Sequence, residues 1–211
     1  MCKTYIFDLD GTLLDTLNDL AAAVNYALRT HGMPEHSIDD VRRFVGNGVR
    51  KLMERAIPDG AANPQFDETF ATFRQYYMAH SLDTTRPYEG IPEALAALKA
   101  RGCRLAVVSN KMMAATQELC QHFFPDTIEV AIGENEAEGI RKKPAPDTVF
   151  AALKALGVGK EGAVYVGDSD VDIETARNSG LPCISVLWGF RDRDFLIQHG
   201  AKTFISDPGN L

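Results

Sequence analysis

"YIFDLDGTLLDT", residues Tyr5 to Thr16, decides the fold. An apolar run ends in two carboxylates, Asp8 and Asp10, and a glycine follows at once. Acids two residues apart repel, and each prefers water. A strand that delivers them into a tight turn therefore implies positive charge waiting to meet them. Short apolar runs of the same kind recur as "RLAVVS" (Arg104 to Ser109), "IEVAIG" (Ile128 to Gly133), "AVYVG" (Ala163 to Gly167) and "CISVLW" (Cys183 to Trp188). They are near-continuously apolar rather than alternating, the pattern of strands buried on both faces. Amphipathic segments lie between them. "IPEALAALKARG" places Ile91, Ala94, Leu95 and Leu98 on one face with Gly102 at its close, and similar segments end at Gly157 and Gly180. The expectation is an α/β fold: a Rossmann-like parallel sheet core with helices on both faces.

A long interruption separates the first strand from the rest. Leu17, Leu20, Ala21, Val24, Ala27 and Leu28 follow helical spacing, as do Val41, Phe44, Val45, Val49 and Leu52, and then Phe66, Phe70, Phe73 and Tyr77. This predicts a small all-helical domain over residues 16–84, inserted after the first strand of a core made of residues 1–15 and 85–211. The Gly-rich "VGNGVRK" inside it lacks the endings of a dinucleotide fingerprint or a P-loop.

The 211 residues are 45% hydrophobic and 24% charged, as in an ordinary soluble globular protein. A net charge of -7 argues against a broad basic surface for nucleic acid or anionic lipid. Cys2, Cys103, Cys120 and Cys183 are scattered without metal-ligand spacing, which fits a reducing compartment. "MCKTYIFDLD" meets acids too early for a signal peptide, and no stretch approaches a membrane span. The chain reads as cytoplasmic, with no membrane partner, as a monomer or homodimer.

In open parallel sheets the ligand site lies at the carboxyl ends of the strands. The first strand ends in Asp8, Asp10 and Thr12, and the second in Ser109, Asn110 and Lys111; "RKKPAPD" follows the third and "GDSDVD" the fourth. Acids, a hydroxyl, an amide and lysines suit Mg²⁺ and a phosphoryl group. In this reading a metal-bound Asp8 attacks phosphorus with its second oxygen, giving an aspartyl-phosphate. Asp10 protonates the leaving alkoxide and then deprotonates the attacking water. Ser109 binds phosphoryl oxygens, with Thr12 and Asn110 as further substrate-binding candidates, and Lys143 neutralises the shared charge. Asp168 completes the metal site. Ser109 and Asn110 also suit a helix N-cap, and Asp170 a cap of the next helix.

"DLDGTLLDT", "SNK", "KKPAP" and "GDSDVD", in this order at successive strand ends, resemble the four motifs of the haloacid dehalogenase superfamily of phosphohydrolases. "FDLDGTLLDTLNDLAAAVNYAL" and "VGNGVRKLMERAI" are most similar to its phosphoglycolate phosphatase-like branch. The resemblance implies Asp8 as nucleophile and metal ligand, and Asp10 as acid/base whose carbonyl also meets the metal. It implies Ser109 as the phosphate-binding hydroxyl, Lys143 rather than Lys142 as the motif lysine, Asp168 as a metal ligand and Asp172 as a carboxylate supporting the metal site. The insertion resembles a mobile cap, in which Arg50 is expected to read the non-reacting end of a small phosphorylated metabolite. The implied function is a Mg²⁺-dependent phosphatase, with 2-phosphoglycolate as first substrate. A phosphosugar mutase or an inorganic pyrophosphatase would share the machinery. A phospho-accepting signalling module is the reading of another class, against which stand Asp10 and the size of the insertion.

Overall fold

The structure is a computed structural model that describes residues 4–134 and 136–211; Cys2 lies outside them. In chain order, β1 (Thr4–Phe7) and β2 (Leu14–Asp15) precede four helices, α1 (Leu17–Thr30), α2 (Ile38–Phe44), α3 (Val49–Ala56) and α4 (Phe66–His80). Next come β3 (Arg86–Pro87), α5 (Ile91–Ala100), β4 (Arg104–Met112), α6 (Met113–Phe123), β5 (Val130–Glu134) and α7 (Asp147–Leu156). β6 (Ala163–Gly167), α8 (Asp170–Ser179), β7 (Cys183–Val186), α9 (Arg193–Gln198) and β8 (Phe204–Ile205) complete the chain. It divides into two compact units, Thr16–Arg86 and the remainder.

The larger unit is built on a sheet with the strand order β5-β4-β1-β6-β7-β8, every neighbouring pair parallel. The chain starts in the middle, moves outward through β4 and β5, then returns beside β1 and moves out the other way. A crevice opens at the carboxyl ends where such an order reverses. Alternate residues serve opposite faces. Phe7, Leu105, Val107 and Val166 pack with Ile91, Leu95 and Leu98 of α5 and Leu119 of α6. Ile6, Ala106, Val108 and Tyr165 pack with Val149, Ala152 and Leu153 of α7 and Ala176 of α8. Covering both faces makes the strands continuously apolar, and each fully buried Val, Leu, Ile or Phe among them contributes roughly 1.5–3 kcal/mol.

Strand ends differ from the expected ones. β4 runs on to Met112 through a register shift after Val108, which carries Ser109–Lys111 past its neighbour as an irregular segment. β5 starts at Val130 because Ile128 is held in the turn that closes α6, its N–H donating to the Phe124 carbonyl. β7 stops at Val186, and Leu187–Trp188 begin a loop. Among the described residues, no helix is long and apolar enough to cross a membrane.

In the helical unit, α1 buries Leu17, Leu20, Ala21, Val24, Ala27 and Leu28, the stripe expected from spacing. α4 buries Phe66, Phe73 and Tyr77 while Phe70 stays half-exposed. Asp19, in the first turn of α1, accepts hydrogen bonds from the backbone N–H and hydroxyl groups of both Thr84 and Thr85. This ties the beginning of the unit to its end.

Candidate active site

The loop after β1 is folded by its own apolar residues. Leu9, Leu13 and Leu14 are buried in the core, and the Leu9 carbonyl accepts from the N–H groups of Leu13 and Leu14 at 3.0 Å. The Asp8 N–H continues the pairing with β6 by donating to the Val166 carbonyl at 2.9 Å. Between the two acids and Leu13, Gly11 turns at φ 85°, where a Cβ would also collide with the Asp168 carboxylate. The chain thus delivers Asp8 and Asp10 to the carboxyl edge of the sheet.

Three carboxylates converge there. Asp8, Asp168 and Asp172, all buried, each place an oxygen within 4.8 Å of the others. Lys143 Nζ lies 2.8 Å from Asp8 Oδ1 and 2.8 Å from Asp172 Oδ1, and donates to the Tyr165 hydroxyl at 3.1 Å. That hydroxyl in turn donates to Asp172 Oδ1 at 2.9 Å. The Asp10 carboxylate stands apart from the trio and pairs with Lys111 Nζ at 2.9 Å.

The remaining expected residues have definite partners. Asn110 is buried and grips the Lys143 backbone twice, donating to its carbonyl at 3.0 Å and accepting from its N–H at 2.8 Å. Thr12 is fully buried and donates to Asp168 Oδ1 at 3.3 Å. Expected to bind substrate, both make these side-chain contacts with other site residues, Asn110 with the Lys143 backbone and Thr12 with the Asp168 carboxylate. Ser109 Oγ accepts from the Lys111 N–H at 3.2 Å. α6 starts at Met113 with Met112 as its cap residue, so Ser109 and Asn110 are not an N-cap. The cap of α8 is Ser169 rather than Asp170: the Ser169 N–H and hydroxyl both donate to Asp172 Oδ2, at 3.1 and 2.6 Å. Lys142 is half-exposed, 3.6 Å from Glu136. Arg50 belongs to the helical unit, over the Phe66 ring at 4.8 Å and within 4 Å of Glu54 and Asp67.

Sequence reading missed one whole segment, the loop after β7. Trp188 Nε1 donates to the Thr12 carbonyl at 2.9 Å, and the Phe190 N–H donates to Asp168 Oδ2 at 2.7 Å. Tyr165 was counted as a strand residue only. A signal for the loop existed in its strand-end position, for "WGFRDR" follows an apolar run as the other site segments do.

The electrostatics are those of crowded acids. Burial, followed by the neighbouring Asp172, pushes the Asp8 carboxyl well above the usual range, and Lys143 only partly offsets this. Burial and Asp172 push Asp168 up to about 7, against the pull of the Phe190 N–H, Arg191 and Lys143. Burial alone would lower the Lys143 ammonium, but Asp172 and Asp8 outweigh it and the net shift is upward. Tyr165 is pushed up by burial, Asp172 and Asp8, so it stays a phenol and a donor. Hard oxygen donors, close together and short of positive charge, fit a small divalent cation such as Mg²⁺.

Comparison with known proteins gives a consistent picture. The family model described as haloacid dehalogenase-like hydrolase matches residues 5–186. A phosphoglycolate phosphatase of Aquifex aeolicus is 36% identical over 190 residues, 89% of this chain and 86% of its own. An N-acetylmuramic acid 6-phosphate phosphatase of Pseudomonas aeruginosa is 30% identical over 211 residues, 99% of this chain and 92% of its own. A crystal structure from Lactobacillus delbrueckii subsp. bulgaricus, provisionally named a phosphoglycolate phosphatase, superposes with a TM-score of 0.94 at 37% identity, covering 100% of this chain and 97% of that one.

Proposed function

Because the chain belongs to the haloacid dehalogenase-like hydrolases and is a phosphoric monoester hydrolase, we propose that it is a Mg²⁺-dependent phosphatase of small phosphomonoesters, with 2-phosphoglycolate as its preferred substrate. The observation that carries the mechanism is the buried Asp8 carboxylate, held at a strand end 2.8 Å from Lys143. One Asp8 oxygen is fixed by the ammonium, and the other attacks phosphorus as the ester P–O bond breaks. Asp10 gives its proton to the departing alkoxide and takes one from the water that then cleaves the aspartyl-phosphate. Ser109 binds phosphoryl oxygens. Lys143 balances the charge of nucleophile and phosphoryl group, and Asn110 and Tyr165 keep it in place. Asp8, Asp168 and Asp172, with the Asp10 carbonyl, are the groups that would hold Mg²⁺, which supplies the positive charge a phosphate dianion needs to approach four acids.

In this reading the helical unit is the cap that excludes bulk water, and Arg50 recognises the carboxylate of the substrate. A second substrate deserves the same test: N-acetylmuramic acid 6-phosphate, named for the relative that spans the whole chain, is also a phosphomonoester bearing a carboxylate.

The experiment is phosphate release with and without Mg²⁺ from 2-phosphoglycolate, N-acetylmuramic acid 6-phosphate, pyrophosphate, β-glucose 1-phosphate and 4-nitrophenyl phosphate. Turnover of a carboxylate-bearing ester should require Mg²⁺ and fall by about a thousandfold or more in Asp8→Asn. Preference for pyrophosphate would make the protein a pyrophosphatase. Undiminished activity in Asp8→Asn would remove the nucleophile from the scheme.

A further inference from the structure

We propose that Lys111 is a positioning residue for the reaction, one that aims the Asp10 carboxylate at the ester oxygen. The inference rests on the acid/base role given to Asp10 above. Lys111 Nζ lies 2.9 Å from Asp10 Oδ1, and the two side chains differ in exposure, 2% for the lysine and 13% for the aspartate. The lysine is therefore the more deeply buried partner, and the carboxylate is the one that reaches toward the surface of the unit.

The backbones on both sides are already fixed. Asp10 is bridged to Leu14, and the Gly11 N–H donates to the Leu14 carbonyl at 2.9 Å. Opposite, the Lys111 N–H is bound to Ser109 Oγ, while its neighbour Asn110 is tied to the Lys143 backbone. What remains adjustable in Asp10 is its side-chain torsions, and the ion pair with the ammonium at 2.9 Å restrains these.

Stability gives no sufficient reason for the pair. Taking an ammonium out of water is expensive, and well-packed apolar replacements of buried ion pairs are often neutral or stabilising. A lysine at a strand end could also extend its head to solvent. Lys111 instead keeps its charge buried beside the group whose direction governs proton transfer, where a small misplacement costs a large factor in rate.

A general acid matters most when the leaving group is a poor one, so the test compares an alkyl ester with an aryl ester. Single-turnover phosphoryl transfer is measured for 2-phosphoglycolate and 4-nitrophenyl phosphate in Lys111→Met, Lys111→Gln, Lys111→Arg, Asp10→Asn and Lys111→Met/Asp10→Asn, with thermal midpoints for each. Lys111→Met should slow the alkyl ester roughly tenfold to a hundredfold and the aryl ester by less than about threefold, with KM little changed. Lys111→Arg should recover most of the loss, and the double variant should be no slower than Asp10→Asn. Equal slowing of both esters, a rise in KM alone, or multiplied losses in the double variant would overturn the proposal. Lys111→Gln carries the same test if Lys111→Met does not fold. Absence of leaving-group discrimination in Asp10→Asn itself would instead overturn the acid role of Asp10.

Discussion

Gly189 has no side chain, and Asp168 occupies the space where one would stand: an added Cβ would collide with the Asp168 side chain and the Gly11 carbonyl oxygen. Backbone and carboxylate cannot both keep their places, so Gly189→Ala must displace the acid or the loop that donates to it from Phe190. Displacements near 1 Å in such a site cost about a hundredfold. Gly189→Ala should lower kcat by roughly that factor while moving the thermal midpoint by only a few degrees, and steady-state kinetics beside a melting curve checks it. Nothing in the sequence announces this constraint. The gathering of Asp8, Lys143 and Asp168, with Asp10 on a lysine of its own, was legible as a placement because the proposed chemistry needs those residue types at strand ends. Tyr165 was hidden, since a tyrosine in a strand is ordinary β composition. Thr12 and Asn110 were legible as neighbours of the site but not in their partners, which lie 156 and 33 residues away along the chain.

At the scale of elements, α1 and the last residues of the helical unit are joined through one carboxylate. Burial pushes Asp19 up, but the hydrogen bonds from Thr84 and Thr85 outweigh it and hold the group below the usual carboxylate range. A depressed folded value contributes stability that is fully present above the unfolded value near ~4 and is lost as pH falls through the folded one. Asp19→Asn leaves donors facing an amide nitrogen and should cost about 2–3 kcal/mol at neutral pH. The difference from the parent should shrink below pH ~4, and amide exchange at Thr84 and Thr85 should quicken. A constant difference down to pH 3 would mean that packing, not the charge, does the tying. The spacing of α1 was readable because its apolar stripe obeys a fixed period. Asp19 was not, because an acid in a first turn is favoured by the helix dipole whatever else it does. Strand ends were misread by a few residues for a related reason: apolar Ile128 and Leu187 serve a turn and a loop as readily as a strand.

At the scale of the whole molecule, the net charge of -7 argues against a broad basic surface but does not tell that several acids are stacked at one edge of the sheet. That placement makes the stability of the metal-free protein depend on pH. Asp168 is raised to about 7 and Asp8 is also raised, each by burial and by Asp172. In the unfolded chain both ionise near ~4, so between that value and about 7 the folded state holds more protons. Stability from these groups is therefore fully present below pH ~4 and is lost as pH rises through the folded values. Mg²⁺ held by these carboxylates, as proposed, would replace the missing protons. Its stabilisation should be small at pH 5 and, at a hundred times its dissociation constant, approach about 2.7 kcal/mol at pH 8, or several degrees in the thermal midpoint. Asp168→Asn should flatten the pH dependence of the chelated protein and cut the gain from Mg²⁺. Differential scanning calorimetry with EDTA and with Mg²⁺ at both pH values decides it: an equal gain at pH 5 and pH 8 would place the cation away from these carboxylates. A gain confined to pH 8 would tie it to the acids whose crowding the fold otherwise leaves unrelieved.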